Sequence, residues 1–234
     1  GDNDPVFTYT NSEGLNASSF TGAMGRVSGS NVGSYAYTLG NLSAGNNYTL
    51  ILVAANTFEI KKAPLNVKAN DTYIYKGSPL PVFTSTIIAF KAGDVNPGVT
   101  YTLSPSYTGN AGVYTIIPLL NAFAKSGNYN ISHTNGSFYV NPKGNGAKKL
   151  RPYLDCVEEI MNPTSPATRF VAHLYCINDN ATPLYVPIGA DNNLSSPTGL
   201  FDNSQQPVVF MPGITPCIVP FDGTSLKWEI RTYE

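Results

Sequence analysis

One stretch of this chain is written twice. Gly1-x-x-x-Pro5-Val6-Phe7-Thr8 returns as Gly77-x-x-x-Pro81-Val82-Phe83-Thr84, and Asn31-Val32-Gly33-Ser34-Tyr35 returns as Asn110-Ala111-Gly112-Val113-Tyr114. Gly45-Asn46-Asn47-Tyr48 returns as Gly127-Asn128-Tyr129, and Phe58 is matched by Phe138. The partners keep their order and stay about eighty residues apart, with small drifts that fit loop insertions. The chain is therefore read as an array of small modules. The matched positions have structural rather than chemical meaning. A Gly two residues before a strand Tyr permits a tight turn or positive φ, and the Tyr then lays a large side chain across a half-buried sheet.

Helical periodicity is nearly absent, which predicts an all-β fold with at most short helical turns. Runs of β-branched and aromatic residues at Val6–Thr10, Tyr48–Ala54, Phe58–Lys61, Leu65–Ala69, Tyr114–Pro118 and Phe138–Val140 are bounded by Gly, Asn, Pro and Ser, as strands between turns should be. Helical turns are expected only near Leu15–Gly22 and Leu119–Ala124, with a loop insertion as the equal alternative for the second. Beyond the polar, Gly-rich run Asn141-Pro142-Lys143-Gly144-Asn145-Gly146 the character changes. There the strands predicted are Tyr153–Ile160, Arg169–Ile177, Leu184–Ile188, Val208–Met211, Cys217–Phe221 and Leu226–Thr232. Turns are expected at Asn162-Pro163, Asn178-Asp179-Asn180, Pro212-Gly213 and Asp222-Gly223, the last as a hairpin.

Composition removes several function classes. Charged residues make up 12% of the 234, about half the usual share. Asn, Ser, Thr and Gly keep the surface wet instead, as in extracellular β-rich proteins. The net charge is −1, and the densest basic cluster, Lys148, Lys149 and Arg151, is too small for a nucleic-acid footprint. No apolar stretch approaches the ~20 residues of a membrane-spanning helix. The cysteines, Cys156, Cys176 and Cys217, sit in strand-like flanks and are expected to be buried and unpaired, with one disulfide as the alternative.

No catalytic residue emerges. His133 and His173 lie in different modules, and His173 and Cys176, three apart on one strand, face opposite sides of it. No Gly-x-Ser-x-Gly elbow occurs, and Gly25, Gly29 and Gly33 lack the strand–loop–helix setting of a phosphate cradle. Catalytic, cofactor-binding and metal residues are therefore all expected to be none. Calcium is the one ion the loops suggest, through Gly1-Asp2-Asn3-Asp4, Asp191-Asn192-Asn193 and Asp202-Asn203; none has EF-hand spacing, and solvated loop is the plainer reading. The Asn-x-Ser/Thr triplets at Asn16, Asn41, Asn47 and Asn130 are compositional. Trp228 is expected in the core, on a strand whose Leu226, Trp228 and Ile230 share a face. Tyr73, Tyr75 and Tyr233 lie near loops or the terminus and are candidates for exposure.

Residues 1–143 resemble tandem MBG-type repeats of bacterial cell-surface adhesins. The likeness is carried by Gly1-Asp2-Asn3-Asp4-Pro5, Asn31-Val32-Gly33-Ser34-Tyr35-Ala36, Leu42-Ser43-Ala44-Gly45-Asn46-Asn47-Tyr48-Thr49 and Phe58-Glu59-Ile60-Lys61-Lys62-Ala63. In the second module it is carried by Tyr75-Lys76-Gly77, Phe90-Lys91-Ala92-Gly93-Asp94, Gly112-Val113-Tyr114-Thr115-Ile116 and Asn128-Tyr129. The last third is similar to a small bacterial exoprotein module, through Arg151-Pro152, Cys156-Val157, Val186-Pro187-Ile188-Gly189, Gln206-Pro207, Pro212-Gly213, Phe221-Asp222-Gly223 and Leu226-Lys227-Trp228. The organisation expected is a repeat over 1–63, a second over 64–143, a linker over 144–149 and an immunoglobulin-like β-sandwich over 150–234. The repeats are β-grasp-like or immunoglobulin-like. Leu65–Asp71 opens the second repeat and has no counterpart in the first, so the chain is expected to start part-way through a longer array. The resemblance implies an exported, repeated β module without enzymatic activity and implies no known ligand; the partners expected are a glycan or a surface protein and further modules of the same chain. A stalk or an accessory piece of an extracellular enzyme is the alternative.

Overall fold

The computed structural model describes residues 2–53, 56–91, 93–161, 163 and 168–233, and its regular structure is nearly all β. The first repeat holds β1 (Gly25–Arg26), β2 (Gly33–Thr38) and β3 (Thr57–Ile60). The second holds β4 (Ala63–Ala69), β5 (Thr72–Tyr75), β6 (Ser85–Ile88), β7 (Val99–Ser104), β8 (Gly112–Leu120), β9 (Tyr129–Thr134) and β10 (Gly136–Asn141). The last third holds β11 (Arg151–Glu159), β12 (Phe170–Asn178), β13 (Leu184–Tyr185), β14 (Asn192–Ser195), β15 (Val209–Phe210), β16 (Gly213–Phe221) and β17 (Lys227–Ile230). Helical structure among the described residues amounts to 3-10 turns at Ala17–Ser19 and Ser126–Asn128, with Thr168 also in 3-10 conformation.

The repeat in the sequence is a repeat in three dimensions. β2 pairs antiparallel with β3 so that Tyr35 stands opposite Phe58; β8 pairs with β10 so that Tyr114 stands opposite Phe138. The Tyr35 hydroxyl donates to the Asn31 carbonyl at 2.6 Å, and the Tyr114 hydroxyl donates to the Asn110 carbonyl at 2.9 Å. Phe7 meets Phe58 edge-on at 5.3 Å, and Phe83 meets Phe138 edge-on at 5.4 Å. Each turn–strand pair thus places a Tyr ring whose polar end is satisfied locally, while an aromatic from the Pro-Val-Phe segment closes the layer. The repeats differ at one edge. In the second, β10 also pairs in parallel with β5, whereas β3 ends the order β1-β2-β3.

The described residues form two compact units. One takes residues up to Val67 with Thr86–Thr100 and Leu119–His133; the other takes Lys68–Ser85, Tyr101–Pro118 and Thr134 onward. In the first, Leu65, Val67, Leu120 and Tyr129 form a buried core with Ile87, Phe90, Phe123 and Ile131 packed against it. The Tyr129 hydroxyl donates to Asp94, which also takes the Lys125 ammonium at 2.5 Å. Those hydrogen bonds, from Lys125 first and Tyr129 second, hold the Asp94 carboxyl below its ordinary range.

In the second unit, β5, β8 and β10 bury Ile74, Tyr114, Ile116, Phe138 and Val140. A separate core, Leu150, Cys176, Leu184, Val186, Leu194, Phe210, Cys217, Val219 and Trp228, belongs to the last third. It draws on the sheet β11-β12-β16 and on the pairs β13-β15 and β14-β17. Asn141 is buried at the end of β10, donating from Nδ2 to the Tyr185 carbonyl at 2.8 Å and accepting at Oδ1 from the Tyr185 N–H at 2.9 Å. The Tyr139 and Tyr185 rings stack at 5.0 Å beside it. One amide therefore acts as a rung of ladder, fastening β10 to β13.

Several expected elements differ. Val6–Thr10 joins no ladder: Val6 faces solvent while Phe7 alone turns inward onto Tyr37 and Phe58. The described part of Tyr48–Ala54 is also unpaired; Ala54 lies outside the described residues, as do Gly1, Ala92 and Asn162 of the expected motifs. Leu119–Ala124 is not a helical turn, because β8 carries on through Leu120 and buries it. The helical turn expected near Leu15–Gly22 is present, as the exposed 3-10 turn Ala17–Ser19. Leu184–Ile188 shrinks to two residues of ladder ahead of Pro187, which has no N–H to pair. Pro212-Gly213 separates β15 from β16 as expected, with Gly213 at φ of 94°, and β16 accepts Pro216 and Pro220 as an outer strand of its sheet. Asp222-Gly223 is no hairpin: β16 pairs with β12 and β17 with β14, so the turn changes sheet. Gly223 holds φ of 89°, and a Cβ there would run into the Phe170 ring.

Candidate functional site

The registers of β11, β12 and β16 define one open sheet face. Across the three strands run the rows Arg151–Ile177–Ile214, Tyr153–Tyr175–Pro216 and Cys156–His173–Ile218. Alternation puts all of these on one side, since Cys176, Cys217 and Val219 at the intervening positions enter the core. Tyr153 stacks on Tyr175 at 5.3 Å. Ile214 is 68% exposed, Tyr153 40% and Ile218 38%. β11 is moreover an edge strand, and its inward positions Leu154 and Val157 are exposed as well. The result is a mixed aromatic and apolar surface rimmed by Arg151, Asp155 and Glu158, with Arg151 engaged by Asp179.

The phase of β11 is set by a bulge. Leu154 stands opposite Leu174, but the next pair is Cys156 with His173, leaving Asp155 as the extra residue. The bulge re-aims the rest of the strand so that Cys156 and Glu158, rather than Val157, join Asp155 on the open face with His173. His173 Nε2 lies 3.4 Å from Glu158 Oε2 without hydrogen-bond geometry, and is closed to solvent with no hydrogen-bond partner. One ligand atom from each of Cys156, Glu158 and His173 falls within 4.8 Å of the other two.

The cysteines divide. All three are free; Cys176 and Cys217 are buried, but Cys156 is exposed, correcting the expectation that it would be inside. The reason is that β11, at the edge, carries exposed positions on both sides. Burial pushes the Cys176 thiol up to about 12 and the Cys217 thiol to about 11. Local desolvation, and then the carboxylates of Asp155 and Glu158, raise Cys156. In the native protein one of three thiols is expected to react with an excess of disulfide reagent, and all three after denaturation. Reaction of two or more without unfolding would contradict the core assignment.

The other candidate residues fall elsewhere. His133 is exposed on β9 and accepts the Leu120 N–H at 3.4 Å; it is in the first unit and His173 in the second. The loops considered for calcium are already engaged: Asp2 pairs with Lys91, Asp4 grips Arg26 with both oxygens at 2.7 and 2.9 Å, and Asp202 caps the Ser204 N–H at 2.8 Å. Asn192 is no loop ligand. It sits fully buried on β14, donating to the Val186 and Pro207 carbonyls and accepting from Trp228 Nε1 and Gln206 Nε2. Sequence reasoning missed this hub because Asn192-Asn193-Leu194-Ser195 reads as turn. The signal was Trp228, whose buried N–H needs an acceptor. Tyr73, Tyr75 and Tyr233 are clustered rather than scattered: Tyr73 meets Tyr75 at 6.1 Å and Tyr185 at 5.5 Å, and Tyr75 meets Tyr233 at 4.7 Å under Lys143. Burial there pushes the Tyr75 hydroxyl up to about 12.

No curated protein matches the chain, and neither does any solved structure. The family model for the MBG domain (YGX type) matches residues 1–59 and, in tandem, 65–139. These two stretches hold the equivalent pairs Tyr35/Phe58 and Tyr114/Phe138, and together they take in more than half of the residues; the chain belongs to the MBG domain family.

Proposed function

We propose that this chain is a non-catalytic part of a bacterial cell-surface or secreted adhesin, its MBG repeats acting as spacers and its last module as the recognition piece. The observation that carries this is the open face of β11-β12-β16, where Tyr153, Tyr175, Ile214 and Ile218 stand together in register. A stacked tyrosine pair beside apolar side chains suits the apolar face of a sugar ring or an aliphatic patch of a surface protein. The low charge content and hydroxyl- and amide-rich surface suit an extracellular setting. The last module, with one core shared by a three-stranded sheet and two short ladders, suits an immunoglobulin-like sandwich.

A stalk role is favoured by a different observation. Within the second unit β10 is fastened to the last module by the Asn141–Tyr185 hydrogen bonds and the tyrosine cluster, as a spacer under tension requires. The two roles separate by binding. The intact chain, applied to immobilised glycans and mucins, is expected to bind saturably, and Tyr153→Ala with Ile214→Ser is expected to weaken that binding by about tenfold or more. Absence of saturable binding, or binding indifferent to both substitutions, would leave the stalk as the better account.

A further inference from the structure

We propose that Cys156, Glu158 and His173 form a binding site for a divalent transition metal of zinc type, on the open face of the last module. Three features converge. The donors are one sulfur, one carboxylate oxygen and one imidazole nitrogen, the mixture that zinc accepts in four-coordinate sites. Their ligand atoms already lie within 4.8 Å of one another. Zinc–ligand distances of about 2.0–2.3 Å place the ligating atoms roughly 3.5 Å apart, so small side-chain rotations close the set. One pair, His173 Nε2 and Glu158 Oε2, stands at 3.4 Å already and needs none.

The second feature is the state of His173. Its Nε2 is shielded from water and makes no hydrogen bond among the described residues, although a carboxylate stands beside it. A buried imidazole nitrogen without a partner costs stability unless something occupies its lone pair, and a metal ion does so directly. The third is the bulge at Asp155. An unbroken ladder would set Asp155 opposite His173 and turn Cys156 toward the other face; the extra residue brings the thiol across from the imidazole and, two positions on, Glu158 to the same side. Three protein ligands leave the fourth position to water or to a donor from another molecule, the open arrangement of a zinc ion not sealed in by protein. Binding releases the Cys156 thiol proton to solvent and forms the thiolate–metal bond without change of oxidation state.

The site lies on the face assigned to recognition but does not depend on that role, because its test uses metal alone. The intact chain is titrated with cobalt(II) in reducing buffer. The expected result is a single equivalent bound, a thiolate-to-cobalt charge-transfer band, and loss of that band on adding zinc. Cys156→Ser is expected to abolish the band, and His173→Ala to weaken binding by about tenfold or more. All three side chains lie outside the core, so the variants should keep the wild-type urea midpoint. Independently of any variant, zinc should protect Cys156 of the native chain from alkylation. No band at one equivalent, a band retained at full affinity in His173→Ala, or alkylation indifferent to zinc would each overturn the site. None of these outcomes bears on the Tyr153 and Ile214 binding test, so the two proposals fail separately.

Discussion

Replacing Asn192 with Leu is expected to lower the stability of the last module by about 3–4 kcal/mol, although the side chains are nearly equal in size. The side chain is fully buried and spends its whole hydrogen-bonding capacity on four groups. Nδ2 donates to the Val186 carbonyl at 2.9 Å and to the Pro207 carbonyl at 2.7 Å. Oδ1 accepts Trp228 Nε1 at 2.9 Å and Gln206 Nε2 at 2.8 Å. Leucine fills the volume and strands the Val186 and Pro207 carbonyls and Trp228 Nε1 inside a core lined by Leu194, Phe210 and Trp228, while Gln206 Nε2 keeps the main-chain carbonyl of residue 192 at 3.0 Å. Each buried orphan costs roughly 1–3 kcal/mol, and partial relaxation keeps the total below the sum. Trp228 is the single tryptophan, so its fluorescence during urea unfolding reports on the module that contains the substitution. The exposed neighbour Asn193 serves as control, Asn193→Ala staying within about 0.5 kcal/mol of wild type. Equal midpoints for Asn192→Leu and wild type would mean that the amide network contributes nothing net.

The network also marks where the sequence stopped being legible. Strand content, the repeat and the core position of Trp228 follow from local patterns: β-branched runs, Gly–x–Tyr turns, and alternation. The long strands β4, β8, β11 and β12 were readable because their burial or composition is continuous. What could not be read depends on partners far along the chain. Val6–Thr10 has strand composition, yet it joins no ladder and is held by ring contacts instead, Phe7 on Tyr37 and Phe58 and Tyr9 on Phe20. Asn192–Ser195 has turn composition, yet Lys227–Ile230 recruits it into a ladder. Asp222-Gly223 has hairpin chemistry, but a turn motif does not say which sheet the next strand joins. The Cys156–Glu158–His173 cluster was hidden for the same reason. Alternation correctly separates His173 from Cys176, while the bulge that brings Cys156 across to His173 leaves no mark in residue type.

The two repeats give the remaining large effect, because equivalent residues occupy unequal surroundings. Phe138→Ala is expected to destabilise its repeat by about 3–5 kcal/mol, and Phe58→Ala its own by only about 1–2 kcal/mol. Both rings stand opposite the repeat's Tyr and meet its Pro-Val-Phe aromatic edge-on. Phe138, however, is fully buried, touching Tyr107 and Tyr114 as well as Phe83, on a strand paired on both sides. Phe58 is half-buried on the edge strand β3, with the Arg26 guanidinium over its ring at 5.2 Å. Truncating Phe138 leaves a cavity that two flanking strands hold open, whereas water and the Arg26 side chain can refill the space left by Phe58. Amide hydrogen exchange resolves the difference by location. Protection in β8 and β10 should fall by about a hundredfold or more in Phe138→Ala, and protection in β2 and β3 by roughly tenfold in Phe58→Ala, each factor of ten being 1.4 kcal/mol. Equal losses would show that the parallel pairing of β10 with β5 adds nothing to the second repeat. The unequal result would make that pairing the reason one sequence motif yields a firm module in one place and a marginal one in the other.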